Sequence, residues 1–279
     1  MTPAEYGAIA EFARRRAGLV FAAGKEYLVE SRLGPVLAEH GLASMTQLVA
    51  ALNRPNSPLA DAVIDALTTN ETSFFRDRAP FAAFRDVIIP AAAQRGPVLR
   101  VWSAACATGQ EPYSLSIQMD ECAGPARRLG LEILATDISS RCVAIARAGR
   151  YSEFEVQRGL SRAQLLKYFE RDGPAWRVGP RVRSPIRWGR FNLLDSPAEF
   201  GRFDAVFCRN VLIYFDATTR REVLRQIASV LVDGGHLVVG TAETVLGFAD
   251  GFTSVAGAPG VYAKTAASSA GRKTAAQPA

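Results

Sequence analysis

The sequence predicts an α/β protein in which a helical N-terminal region precedes an open parallel sheet wound with helices. Three observations lead to that prediction. Residues 1 to about 67 carry apolar side chains at helical spacing only. From Leu99 onward, short apolar runs alternate with amphipathic stretches, as strands buried on both faces and joined by crossover helices do. The run at 99–102 opens into a loop of small residues leading into a helix, which is where such sheets bind ligands.

In the N-terminal region Tyr6, Ile9, Phe12 and Ala13 recur on one helix, and Leu28, Arg32, Leu33, Val36 and Leu37 on a second. His40-Gly41 stops the second helix, because glycine tolerates a left-handed C-cap. Residues 53–58 read as a loop, followed by a third helix through Leu59, Val63, Ile64 and Leu67. The joint Thr68 to Asp77 is too polar at its start for core and too aromatic at its end for a plain spacer. Pro80 then opens a helix over 81–94, where its missing N–H costs little.

Strands are expected at 98–102, 131–136, 186–191, 203–208 and 236–239, with helices at 113–122 and 219–231. Residues 252–256 and 261–264 flank Gly257-Ala258-Pro259-Gly260 and predict a closing β-hairpin. The expected organisation is a helical domain at 1–67, a linker and connecting helix at 68–95, an α/β domain at 96–264, and a small, polar, disordered tail at 265–279.

A formal net charge of +6 fits an anionic partner without choosing among nucleic acid, membrane surface and acidic protein. The four cysteines form no CxxC pair and there are two histidines, which argues against a zinc site and a disulfide scaffold. No metal is expected. The N-terminus does not read as a signal peptide, and no apolar run approaches the ~18 residues of a membrane span. A cytoplasmic location is expected.

The segment Val101 to Tyr113 (VWSAACATGQEPY) carries the strongest chemical signal. Ala104, Ala105, Ala107 and Gly109 leave room for backbone to approach a ligand. A helix N-terminus suits an anion, and Glu111 opposes that, favouring a ligand with a positive end. S-adenosylmethionine has an ammonium and a sulfonium. Without a G-x-G-x-x-G, a dinucleotide is the weaker reading, and a plain βα turn stays open. Asp137, at a strand end, is placed either to accept from a ribose diol or to cap the next helix. Asn192, in FNLLD, sets an amide near an adenine or makes a polar turn. Arg209 and Asn210 leave the strand 203–208 at its ligand-facing end, where packing does not explain them. Tyr214 follows, its hydroxyl at the rim.

Together TTNETSFFRD, VWSAACATGQEPYSLSI, ATDIS, FNLLD and FDAVFCRNVLIYFD resemble the chemotaxis receptor glutamate O-methyltransferases, over about residues 10–264. The resemblance implies an all-helical N-terminal domain, a linker, and a Rossmann-like class I methyltransferase domain with a small antiparallel β-subdomain insert at about 172–190. It implies S-adenosyl-L-methionine as methyl donor, S-adenosyl-L-homocysteine as product, and chemoreceptor glutamates as acceptors. By the same resemblance Asn70, Thr72 and Arg76 close over the cofactor, and Glu111 and Asp137 hold its amino-acid and ribose ends. Asn192 and Leu193 flank the adenine, Arg209 and Asn210 line the far wall, and Arg76 and Tyr214 lie nearest the methyl transfer. The implied partners are cytoplasmic receptor helices, with a receptor C-terminal peptide adding a strand to the β-subdomain in some members. A monomer is expected, without nucleic acid or membrane insertion.

The chemistry is compatible with these residues. A glutamate side chain, with an ordinary pKa of about 4.3, is already a carboxylate nucleophile at neutral pH. Methyl transfer to it needs alignment and a dry site rather than a general base, which the scarcity of histidine matches. The absence of an NPPY-type motif after the fourth strand argues against an amino-group methyltransferase on nucleic acid. Two basic faces compete for docking: Arg14, Arg15 and Arg16 on the first helix, and Lys25 and Arg32 on the second, where Glu26, Glu30 and Glu39 dilute them.

Overall fold

The computed structural model describes residues 1–54, 57–122 and 129–265. The loop expected at 53–58 and the tail expected from 265 therefore fall partly or largely outside the described residues.

The N-terminal region folds as α1 (Pro3–Ala17), α2 (Glu26–Glu39), α3 (Met45–Leu52) and α4 (Leu59–Leu67). Thr2 and Glu5 close a capping box on α1, and Gly18, left-handed, ends it. Ile9, Ala13, Val29, Leu33, Leu48 and Val63 meet in one core. The helix absent from the sequence reading is α3, whose eight residues span barely two turns of periodicity.

After the linker, α5 (Ala79–Ala83), a π-helical turn (Phe84–Ile88) and α6 (Ile89–Ala93) run on as one helical rod. The alternating part follows as β1 (Val98–Ala104), α7 (Gln110–Glu121), β2 (Gly130–Asp137) and α8 (Ser140–Ala148). An insert comprises β3 (Arg150–Ser152), α9 (Glu153–Gln157), α10 (Arg162–Tyr168), β4 (Phe169–Asp172) and β5 (Ala175–Val178). The chain closes with α11 (Pro180–Arg183), β6 (Ile186–Arg190), β7 (Phe203–Cys208), α12 (Ala217–Val230), β8 (Leu231–Val238), β9 (Phe252–Ser254) and β10 (Val261–Lys264).

Seven strands form one sheet in the order β6-β2-β1-β7-β8-β10-β9. Its first five are parallel, and β10 runs antiparallel to both β8 and β9. Strand order reverses between β1 and β7, which opens a crevice at their carboxyl ends. Alternate residues feed opposite faces. Leu99, Val101, Ala205 and Phe207 pack under Phe81, Phe84 and Ile88, while Trp102, Ala104, Val206 and Cys208 pack on Val223, Leu224 and Ile227 of α12.

The antiparallel insert sheet, β3-β5-β4, occupies 150–178 rather than the expected 172–190. The strand at 186–190 belongs to the main sheet, where Ile186 pairs with Ile133. The three residues of β3 are too few to show an alternating pattern, which is why the insert read too late. β8 likewise begins at Leu231, opposite Phe203, five residues before the expected start. The register then slips before His236, and Gly235 has no space for a Cβ, which would stand 2.8 Å from the Val232 carbonyl.

The linker is plugged into the insert. The Phe74 ring meets Tyr151 and Phe169 edge-on at 5.1 and 5.4 Å. Gly159 lets the insert close on it: a Cβ there would lie 1.7 Å from the Phe74 carbonyl oxygen, at a φ of +107°.

The helical domain is latched to the sheet beside the crevice. Arg190, ending β6, grips Asp61 of α4 with both Nη atoms, at 2.8 and 2.5 Å. The Asn192 amide donates to the Arg16 carbonyl at 2.8 Å, and the Val20 N–H to the Tyr214 carbonyl at 2.9 Å. The hydrogen bonds from Arg190 hold the Asp61 carboxyl below its ordinary pKa. A carboxyl lowered in the fold contributes stability that is complete above its unfolded pKa of about 3.9 and is lost as pH falls through the folded value. Asp61→Asn is therefore expected to destabilise the protein modestly at neutral pH, both side chains being half-exposed. The gap from wild type in urea unfolding should narrow as pH falls below about 4.

Candidate active site

The site is built where β1, β2 and β7 end. After β1 the chain turns through Ala105 (φ 58°), Ala107 (φ 48°) and Gly109 (φ 95°). Only small residues suit this path: a Cβ on Gly109 would stand 2.7 Å from the Ala146 Cβ. The Cys106 N–H donates to the Thr136 carbonyl at 2.9 Å, and the Ala107 N–H to Asp137 Oδ2 at 2.8 Å. Asp137 Oδ1 accepts from the Ser139 N–H at 2.9 Å. Ser139, not Asp137, caps α8. Asp137 instead ties the two strand ends together, with lone pairs left on both oxygens for a further donor. Burial pushes its carboxyl upward in pKa, against the pull of those N–H donors.

The floor is an ionic cluster around Arg209, whose side chain is 3% exposed. Nη1 donates to Glu111 Oε2 at 3.0 Å, while Nη2 donates to Asp77 Oδ2 at 2.8 Å and to the Arg76 carbonyl at 2.9 Å. Glu111 Oε1 accepts from Ser103 Oγ at 2.7 Å. The Arg209 Nε has no partner within the protein. Glu111 thus does not simply offset a helix end; it is first neutralised by Arg209. Asp77 then sets a second carboxylate against the same guanidinium, from the linker side.

The linker reaches the site in strained backbone. Phe75, Asp77 and Arg78 have φ of 48°, 67° and 41°. The Phe75 N–H donates to Ser114 Oγ at 2.9 Å, and the Arg76 Nη1 to the Glu71 carbonyl at 2.9 Å. On the opposite wall Asn210 has a φ of 58°, held by one carboxylate. Glu243 Oε2 accepts from the N–H groups of Asn210 and Gly240 at 2.8 and 2.6 Å, and its Oε1 from Ile213 at 3.3 Å. Among the described residues, the six non-glycine positions with positive φ all lie in these three loops. Such strain concentrates where a site is pre-organised.

One cavity is lined by Asn70, Thr72, Arg76, Glu111, Asp137, Asn192, Leu193, Arg209, Asn210 and Tyr214, so the ten residues singled out from sequence converge on it. The Asn192 Nδ2 donates to the Arg16 carbonyl and its Oδ1 accepts from the Leu194 N–H at 3.1 Å, which leaves the amide one N–H and one lone pair. Three contributors went unread in the sequence. Asp77 and Ser103 stood inside quoted motifs, but their partners lie far along the chain or across a turn. Glu243 was signalled only as a carboxylate soon after a strand end. Cys106 also lines the cavity, and burial pushes its thiol well above the ordinary range, which makes it packing rather than a nucleophile.

Sheet order and switch-point cavity define a Rossmann-like ligand-binding domain behind a helical one. Residues 4–68 match the family model of the CheR methyltransferase all-alpha domain, and residues 70–261 that of the CheR methyltransferase SAM binding domain. A chemotaxis protein methyltransferase of Pseudomonas putida is 40% identical over 257 residues, which cover 90% of this chain and 94% of that one. Chemotaxis protein methyltransferase 1 of Pseudomonas aeruginosa is 41% identical over 256 residues, 90% and 93% of the two chains. That of Escherichia coli is 35% identical over 249 residues, 87% and 85%. The chain belongs to the CheR methyltransferase family, whose catalytic domain binds S-adenosylmethionine.

Removing Arg209 would strand the Glu111 carboxylate in the interior and free the linker at Asp77. Arg209→Ala is expected to cost about 3–5 kcal/mol in chemical unfolding, the range for breaking a buried ion pair from one side. Arg209→Lys should recover part of that loss, because an ammonium meets one carboxylate but cannot fork across both.

Proposed function

We propose that this protein transfers the methyl group of S-adenosyl-L-methionine to glutamate side chains on the cytoplasmic helices of chemoreceptors, leaving methyl esters and S-adenosyl-L-homocysteine. The observation that carries this reading is the cavity itself. It sets the carboxylates of Glu111 and Asp137, with Arg209, against Arg76 and Tyr214, and no histidine lines it. When bound, the cofactor supplies a methyl carbon made electrophilic by its sulfonium.

The residues present fit that cofactor. The Asp137 oxygens would take the ribose hydroxyls, and Glu111 would meet the ammonium. The partnerless Arg209 Nε is a donor for a carboxylate. Backbone at Asn192 and Leu193 would border the adenine, Asn210 would complete the far wall, and Asn70 and Thr72 would close from the linker. Arg76, half-buried and tied to the protein by one hydrogen bond to Glu71, orients the incoming carboxylate with its remaining donors. Tyr214 offers a hydroxyl from the facing wall. Neither residue removes a proton, since the acceptor is already ionised.

Among the described residues no helix is long and apolar enough to cross a membrane. The enzyme would act as a cytoplasmic monomer on receptor helices. A receptor C-terminal peptide would dock by adding a strand to an edge of the insert sheet.

Transfer of tritium from labelled S-adenosylmethionine to receptor-bearing membranes tests the reaction. The label should be released by base as methanol; label that resists base would mean N- or C-methylation and would overturn the ester assignment. Arg76→Ala should lower kcat by about 10²-fold, as loss of substrate alignment does. Its unfolding free energy should stay within ~0.5 kcal/mol of wild type. A stability loss matching the activity loss would remove Arg76 from the chemistry.

A further inference from the structure

One carboxylate braces the active-site loop from behind the cavity lining. β8 runs into a tight turn closed by the Glu243 N–H on the Gly240 carbonyl at 2.9 Å. The Glu243 side chain folds back over that turn, and its Oε2 accepts from the Gly240 N–H at 2.6 Å. It also crosses to the loop after β7: the same oxygen accepts from the Asn210 N–H at 2.8 Å, and Oε1 from the Ile213 N–H at 3.3 Å. Asn210 and Tyr214, at the two ends of that loop, line the cavity. Gly240 makes the fit close, since a Cβ there would stand 2.8 Å from both Asn210 Nδ2 and Glu243 Oε2. The Asn210 amide is thus backed by the turn's backbone, while its main chain, at a φ of 58°, is held by the turn's carboxylate. Three converging N–H groups make an anion-binding concavity, and the protein fills this one with its own side chain. Pairing between β7 and β8 does not depend on it, because the two strands are already joined from Phe203 to Phe207.

We propose that Glu243 is a positioning residue for methyl transfer. It sets the side chain of Asn210 and, through the Ile213 N–H, the backbone that carries Tyr214, without touching cofactor or acceptor. This rests on the reading of the site as a glutamate methyltransferase. Left-handed backbone outside glycine persists only where its surroundings hold it. Without the carboxylate, the N–H groups of Asn210 and Ile213 lose their acceptor, and the loop relaxes with both cavity side chains attached. Small misplacements around reacting atoms cost rate far more than they cost binding. The groups that would hold the cofactor are fixed separately. Asp137 is held by the Ala107 and Ser139 N–H groups, and Glu111 by Arg209 and Ser103. Glu243 therefore acts on the geometry of transfer and leaves the cofactor's ends alone.

The test uses the full chain, labelled S-adenosylmethionine and membrane vesicles from the same cells, carrying their own receptors. Glu243→Gln keeps the length of the side chain but replaces one acceptor oxygen with a donor that faces the loop's own N–H groups. Its kcat should fall about tenfold, the effect of losing one hydrogen bond to a charged group. Its KM for vesicles and its calorimetric Kd for S-adenosylhomocysteine should stay within about threefold of wild type, a split that general misfolding would not give. Gly240→Ala, whose Cβ presses on the Asn210 amide, should show the same split with the carboxylate still present. Should Glu243→Gln not fold, Gly240→Ala decides by the same criteria. Variants with wild-type kcat would overturn the proposal. A fall in kcat matched by an equal rise in Kd would also overturn it, since Glu243 would then support the cofactor site or the fold. Wild-type protein that binds S-adenosylhomocysteine but leaves no base-labile label would sink the methyl-transfer reading, and the positioning role with it. Active wild type beside equally active variants would sink the positioning role alone.

Discussion

A single buried guanidinium organises this molecule. Arg209 leaves the central strand β7 and is met by Glu111 from the first turn of α7 and by Asp77 and the Arg76 carbonyl from the linker. Three segments far apart in sequence thus share one charge. Taking that charge out of water is costly, and the cost is offset only while each partner stays in place. Wherever the linker goes, Arg76 goes with it, because the same residue whose side chain faces the mouth lends its carbonyl to the floor.

The strained loops make sense around that anchor. Six non-glycine residues with left-handed backbone would each be disfavoured alone, by about 1–3 kcal/mol in the less tolerant cases. Three of them are held by side chains across the loop: Asp137 binds the Ala107 N–H, Glu243 binds the Asn210 N–H, and Ser114 binds the Phe75 N–H. Rigid loops of this sort fix small side chains and peptide groups around a ligand, and little reorganisation remains when the reaction occurs.

Much of this was legible in the sequence because its signals were local. A strand followed by small residues, an acid at a strand end, and Arg-Asn after a buried apolar run each occupy a few consecutive positions. The helical domain and the closing hairpin were legible through periodicity. What escaped depends on distance or on short elements. The bond from Asn192 to Arg16 spans the chain and changes what that amide can do. The role of Glu243 appears only when β8 lies beside β7. The insert was placed too late, since its first strand has three residues and its real signature is the aromatic trio Phe74, Tyr151 and Phe169, drawn from three separate regions. Asp137 was left between two roles from sequence, and the cap turned out to be Ser139.

The latch between the helical domain and the sheet has a consequence for how such a protein can change over time. Ala17 and Leu19 share the cavity lining with residues of the catalytic domain, and Asp61 and Arg16 clasp the turn at its edge. The helices are thus a wall of the reaction chamber as well as its preface. A gene rearrangement that joined this catalytic domain to a different leader would inherit an open chamber.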